Sequence, residues 1–342
     1  MSSIKAACKT YLVIGSLIFG MLFGAGNLIF PVHLGQLAGN QWIAATGGFL
    51  LSGVLLPLFA LLAISITHAN GLYELALPNG KRFALIFLVL VQIVIGPLCA
   101  TPRTATVPYT IGVAPYLSKG MQGWGLLAYT GAFFLIVYFF ATRERKITEI
   151  IGKVLNPIFL IMLFLIFLLA FIHPMGSTTT PQPTPEYVNH AFSNGFIQGY
   201  NTVDALAALV FGVTIITRGN CLLSFLVANL GLDRIVSWSI PVLMFLYPLA
   251  IVLILLGIFS PLFKGASLIY RIMTGITMIP AFFDMVNAFP PVLRDTTFSM
   301  SLIHFAEKYF PLYQLGFSWL PFTLVGLFIS ICIWYPQQRS RV

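Results

Sequence analysis

Gly20-Met21-Leu22-Phe23-Gly24-Ala25-Gly26-Asn27-Leu28-Ile29-Phe30-Pro31 interrupts the first membrane-length apolar run of this 342-residue chain. Three glycines, an asparagine and a closing proline stand where a simple anchor would carry leucines. Backbone released from a helix inside a bilayer must be buried in protein or line a cavity. A Gly-rich break in a spanning segment is therefore a place to cradle a solute or ion. A second reading competes with it: small residues spaced by four, such as Gly20 and Gly24, also let two helices touch. The rest of the chain decides between them.

Composition settles the environment. The chain is 58% hydrophobic and 8% charged, with a mean hydropathy of +0.95, whereas soluble domains run near 25% charged. This is an integral membrane protein. The net charge of +9 would suggest nucleic acid in a soluble chain. Here the bases flank apolar runs, so they report topology. Cys8, Cys99, Cys221 and Cys332 are scattered, without metal-type spacing or a disulfide framework. The first apolar run follows Lys5 and Lys9 like a signal sequence, but it ends in Pro31 and more spans follow, so it reads as retained.

About 20 apolar residues cross a bilayer. Candidate spans lie at Tyr11–Pro31, Trp42–Thr67, Phe83–Val113, Trp124–Thr142, Ile150–His173 and Ala191–Thr217, then at Val236–Ser260, Leu268–Phe289 and Leu315–Tyr335. Cys221–Leu230 is apolar but too short to cross. The chain thus divides into residues 1–217, with six spans, a junction at 218–235, and residues 236–342, with three more. Lys5 and Lys9 place the N-terminus in the cytoplasm; Lys81, Arg82, Arg143, Arg145, Lys146, Lys153 and Arg218 then fall on that same side. His33–Gln41 and Pro174–His190 hold no Lys or Arg and read as external. After the sixth span the rule fails: Lys264, Arg271, Arg339 and Arg341 fall on the wrong side, a conflict of parity that an odd number of further crossings would cure.

A second interrupted segment is Phe192-Ser193-Asn194-Gly195-Phe196-Ile197-Gln198-Gly199-Tyr200-Asn201-Thr202-Val203-Asp204, which leads into an apolar half-helix. Of the nine acids, Asp204 is the one set deepest in an apolar run. A carboxylate at the bilayer centre costs at least about 2.5–3.5 kcal/mol on the lenient insertion scale, so it calls for a partner: a coupling cation, a substrate ammonium or a fixed base. The plainer reading is a carboxylate at a helix N-terminus, where the macrodipole favours it. The fixed base would be Arg103, in a third span that also carries Pro97, Pro102 and Pro108; alternatively Arg103 snorkels to the outer interface. Two broken helices about five spans apart are the pattern of an inverted-repeat carrier, and their exposed dipoles suit a zwitterion and a monovalent cation.

Gly24-Ala25-Gly26-Asn27-Leu28-Ile29-Phe30-Pro31, Gly96-Pro97-Leu98-Cys99-Ala100-Thr101-Pro102-Arg103-Thr104-Ala105-Thr106-Val107 and Phe192-Ser193-Asn194-Gly195-Phe196 resemble the bacterial branched-chain amino acid carrier family, the Leu/Ile/Val:cation symporters. Gly199-Tyr200, Val210-Phe211-Gly212, Pro241-Val242-Leu243 and Tyr247-Pro248 extend the likeness over nearly the whole chain. It implies an all-α, multi-pass membrane protein of LeuT-like inverted-repeat architecture in the bacterial inner membrane, moving leucine, isoleucine and valine with Na⁺ or H⁺ and using no other cofactor. The substrate site it implies is formed by Gly24, Ala25, Gly26 and Asn27 with Tyr200, Asn201 and Asp204, and the ion site by Phe23, Asn27, Thr202 and Asp204. This chain departs from the family pattern in one place. Ile216-Thr217-Arg218-Gly219-Asn220 runs almost directly into Asn229-Leu230-Gly231-Leu232, so about a hundred residues, three crossings, are missing and the second repeat is incomplete. That odd number matches the parity conflict.

Two functional classes follow: a cation-coupled carrier, or a truncated remnant that binds or regulates without transporting. An enzyme is not indicated. His33, His68, His173, His190 and His304 are spread over loops and span ends, no nucleophile–base cluster has usable spacing, and no Gly-Lys phosphate loop is present.

Overall fold

A computed structural model describes residues 15–16, 18–20, 22–141, 156–173, 182–210, 218–263 and 265–339. Those residues are helical, with no strand among them. Five helical stretches among them are long and apolar enough to span a bilayer, and two shorter apolar helices accompany them. The chain is a multi-pass membrane protein.

The first span breaks where its composition breaks. Helix gives way at Phe23 and Gly24 and restarts as α1 (Ala25–Ala38). Gly39, at φ 49, turns the chain into α2 (Trp42–Leu50), which runs through a π-helical turn at Leu51–Leu55 into α3 (Leu56–Thr67). The third span is also two helices. Helix α4 (Lys81–Ile93) passes into a wide turn at Val94–Leu98, where Gly96 leaves helical geometry (φ −80, ψ −114), and α5 (Ala100–Gly112) follows. Pro97 sits in that turn, so its missing N–H falls where the hydrogen-bond ladder is already open. Next come α6 (Gln122–Ala141) and α7 (Asn156–Ile172), the described parts of the fourth and fifth spans.

Helix α8 (Pro185–Tyr200) begins within the segment read as an external loop, but it leaves helical geometry at His190 (φ −126, ψ 27), so a short helical lead-in precedes the span expected from Ala191. Pro185 at its first position is pre-set for a helix start. The preceding Thr184 fastens the segment to the end of α1, its amide 2.9 Å and its hydroxyl 3.2 Å from the Leu37 carbonyl. Gly195 and Gly199, read as part of the interruption, lie inside continuous helix. They are contact glycines: a Cβ on Gly195 would strike the Ala45 carbonyl, and one on Gly199 would strike Ser52 Oγ and the Phe49 carbonyl. Gly48 and Gly53 answer from the other side, so α8 crosses α2 with backbones nearly touching, the mode membrane helices use in place of a hydrophobic drive. Ser52 closes the crossing by donating to the Phe196 carbonyl.

After α8 the chain leaves helix at Asn201–Val203 and re-enters it as α9 (Asp204–Val210). The short apolar piece near Cys221 is α10 (Arg218–Ala228). It lies against α5 and α6, where Phe225 meets Phe134 edge-on at 6.5 Å and Ala228 packs with Ala105. Gly231 (φ 86) then opens α11 (Leu232–Ile258), the most enclosed helix, buried nearly all round from Leu243 to Leu256. Helices α12 (Ser267–Asn287), α13 (Thr297–Tyr309) and α14 (Trp319–Arg339) complete the chain. One apolar core joins Leu56 and Leu72 with Phe196, Leu206 and Leu209, and with α11 and Trp319. It therefore bridges the segments before and after residue 218.

The two helix breaks as a candidate site

The breaks in the first and sixth spans meet. A Cβ built on Gly26 would lie 3.1 Å from Thr202 Cα and 3.3 Å from its carbonyl oxygen. Only the absence of a side chain lets one opened backbone rest on the other. Gly24, at the interruption, has nothing within 4 Å and is not a contact glycine, whereas Gly26, in the first turn of α1, packs.

Each break is braced by its own polar residue. Asn27 Nδ2 donates to the Leu22 carbonyl (3.2 Å), holding the last turn before the break to the first turn after it. Its Oδ1 is buried without a partner. In the sixth span the Thr202 hydroxyl lies 2.7 Å from the Gly199 carbonyl and 2.9 Å from Asp204 Oδ2; its one proton serves them in turn. Val203 holds φ 73, which for a β-branched residue costs about 1–3 kcal/mol and marks a site fixed by its surroundings. Asp204, 6% exposed, is the first residue of α9, so the carboxylate does stand at a half-helix N-terminus. The Asn27 amide and the Arg103 guanidinium are within electrostatic reach of it.

Arg103 does not snorkel, being 3% exposed; its charge reaches Asp204, but among the described residues no direct ion pair joins the two. Its two terminal nitrogens donate instead to the Asn201 carbonyl (3.2 and 3.3 Å), and the guanidinium lies 5.4 Å from the Phe30 ring centre. A backbone carbonyl freed by the break takes the donor because the fork of the guanidinium matches it and the break leaves it no amide. Arg103 thus links the third span to the sixth-span break.

The remaining predicted residues divide. Phe23 packs on Phe159 of α7 (5.3 Å), making the fifth span a wall of the first break. Ala25 and Gly26 open α1, where first-turn amides have no partner inside the helix. Tyr200 lies against Tyr247 of α11 (5.2 Å), its hydroxyl buried and without a partner among the described residues. Asn201 Oδ1 and Arg103 Nε are also buried and unpaired. Four of the buried polar atoms without a partner among the described residues, on Asn27, Arg103, Tyr200 and Asn201, thus belong to residues at the two breaks or bonded to them. Sequence reasoning missed Ser52, whose signal was a Ser-Gly pair inside an apolar run, and Asp284, discussed below. An apolar cavity of about 330 Å³, lined by Leu51, Phe59, Phe192, Ile251 and Phe317 among others, includes none of the break residues.

The family described as "Branched-chain amino acid transport protein" matches residues 7–220 and again 218–336. The branched-chain amino acid permease BrnQ of Lactobacillus delbrueckii subsp. lactis is 32% identical over 432 aligned positions, covering 94% of this chain and 96% of that protein. The permease BraB of Bacillus subtilis is 30% identical over 436 positions, covering 94% and 95%. The permease BrnQ of Bacillus subtilis is 40% identical over 213 residues, 62% of this chain and 48% of that protein. Alignments of this length against 342 residues leave about a hundred positions of each full-span relative without a counterpart. The family match stops and resumes at Arg218–Asn220, where the sequence motifs place the deletion. No solved structure matches the chain significantly.

Proposed function

The chain belongs to the branched-chain amino acid transport protein family, and on that premise we propose that it binds leucine, isoleucine or valine between its two broken helices and carries it across the bacterial inner membrane. The family is one of permeases, so the protein is not an enzyme. The apposition of Gly26 and Thr202, with unpaired Asn27 and Asn201 oxygens beside it, is the observation that supports this reading. The free amides at the start of α1 suit the substrate carboxylate, because a helix N-terminus combines unpaired donors with positive dipole. Asp204 and the Thr202 carbonyl suit the ammonium or a coupling Na⁺ or H⁺. Phe23, Phe30 and Phe159 offer an apolar wall to an aliphatic side chain.

Arg103 has a supporting role in this scheme. By holding the Asn201 carbonyl it keeps the sixth-span break open in one geometry, and preorganisation of this kind lowers the ordering cost of binding. In this reading the chain is a LeuT-like inverted repeat whose second repeat is shortened, with its N-terminus in the cytoplasm. The test is uptake of labelled leucine and valine into proteoliposomes of the purified protein, with an imposed Na⁺ gradient, an imposed pH gradient or neither. Uptake above that of empty liposomes, raised by one of the gradients, is expected; none from correctly inserted protein would overturn the proposal.

The junction at Arg218–Asn220 favours a second reading. Without the hundred or so positions that its full-span relatives carry in addition, the chain binds the amino acid but does not translocate it. Saturable binding of labelled leucine by protein that gives no uptake would select this reading.

A further inference from the structure

The buried acid that the helix breaks leave unused is Asp284. It stands in the last turn of α12 and is 7% exposed. Ser318 Oγ lies 3.1 Å from its Oδ1 and 3.0 Å from its Oδ2, and among the described residues that single hydroxyl is its only hydrogen-bonding partner. One proton serves at most one of the four or so acceptor sites of a carboxylate. Among the described residues no Lys, Arg or His lies within ion-pairing distance of it. The neighbouring phenols are committed elsewhere: Tyr247 donates to the Gly316 carbonyl, and Tyr313 to the Phe283 carbonyl (3.3 Å). The negative end of α12 lies at Asp284, and the positive end of α14, which starts one residue after Ser318, lies opposite, so the two partial charges oppose each other. A carboxylate enclosed in this way is costly unless a positive charge accompanies it.

The surroundings say what kind of charge fits. Leu312 (φ 61) and Gly316 (φ 70) bracket the tight turn Tyr313–Leu315, so irregular backbone approaches the acid just before α14. The ligand atoms at hand are oxygens, one carboxylate and one hydroxyl. With a single acid and no His or Cys beside it, the set suits one unit of charge rather than a divalent or transition metal. The place is also wired to the helix breaks. Trp319 lies 6.1 Å from Tyr247, and Tyr247 lies 5.2 Å from Tyr200, the residue before the sixth-span break. Phe317 meets Phe196 of α8 at 5.2 Å.

We propose that Asp284 and Ser318 form a second site for a monovalent cation, Na⁺ or a proton, separate from the helix breaks and joined to them through Tyr247 and Tyr200. The test uses the full chain in lipid nanodiscs, with ²²Na⁺ binding measured against choline and the infrared absorption of protonated carboxyl groups recorded on the same samples. Wild type is compared with Asp284→Asn, Ser318→Ala and Asp204→Asn. If the cation is Na⁺, Asp204→Asn keeps a bound-Na⁺ signal that Asp284→Asn removes, and Ser318→Ala weakens it about tenfold, the value of one hydrogen bond to a charged group. If the cation is a proton, Asp284→Asn instead removes a carboxylic-acid band that Asp204→Asn retains, and Ser318→Ala shifts that band. A variant Asp284→Asn that matches wild type in both measurements overturns the proposal. Should that variant not fold, Ser318→Ala decides alone, and no change in either signal overturns it. Failure of leucine uptake with the Asp284 signal intact would count against the transport reading and leave this one standing.

Discussion

Gly26 and Thr202 lie so close that the first and sixth spans share one gap: a single added methyl on Gly26 would come within 3.1 Å of Thr202 Cα. Neither neighbour can yield easily, because Thr202 is tied to Gly199 and Asp204. Gly26→Val therefore pries the breaks apart. Overpacking of this kind costs about 1–3 kcal/mol. The expected result is a lowered melting temperature in detergent and loss of leucine binding, both measured on purified protein.

Asn27 and Asp204 are expected to act on the cargo rather than on the fold. Asp204→Asn keeps the shape and the Thr202 contact but removes the charge; Asn27→Ala removes the amide that faces it. Each should lower labelled-leucine uptake or binding at least about tenfold, the equivalent of one charge-assisted hydrogen bond. Membrane insertion, followed by fluorescence size exclusion, should stay at the wild-type level. Normal uptake by either variant would remove that residue from the site.

Arg103 offers a different signature. Arg103→Gln leaves the Asn201 carbonyl with a weaker donor or none, at a cost of about 1.5–3 kcal/mol. Because the residue braces the break without carrying a charge to Asp204 by ion pairing, thermal stability should fall together with substrate affinity. A variant that lost uptake with an unchanged melting temperature would show that Arg103 contacts the cargo directly.

The glycines separate by position. At Gly195 a methyl strikes the Ala45 carbonyl, and at Gly48 it would lie 2.7 Å from the Phe196 amide nitrogen, both contacts with backbone. Gly195→Ala and Gly48→Ala should therefore reduce the yield of folded protein several-fold, while Gly24→Ala, with nothing within 4 Å, should be recovered like wild type. Membrane yield and monodispersity measure this directly.

These contrasts also show what the sequence could and could not tell. The breaks were legible because Gly24-Ala25-Gly26-Asn27 and Asn201-Thr202-Val203-Asp204 put helix-poor and polar residues inside apolar runs, and helix is lost beside or within them, at Phe23–Gly24 and at Asn201–Val203. The deletion was legible because the motifs on either side of Arg218 survive it. The roles of Gly195 and Gly199 were not, since a glycine that breaks a helix and one that lets a neighbour approach look alike until the neighbour is known. Arg103 was legible as a candidate, but its acceptor was not: it is a main-chain carbonyl, and no residue type announces that. Asp284 lay inside the expected span Leu268–Phe289 with no base within a helical turn, a signal that was present but not weighed.

The seat of α10 carries a practical consequence. Its anchors, Phe225, Ala228 and Asn229, come after the join and rest on Phe134, Ala105 and Thr130, which come well before it. A donor fragment from a longer permease, spliced in ahead of Arg218, would therefore meet a landing already assembled at its far end. Restoring full length by such a hybrid would ask the new helices to find their own places without evicting any resident segment.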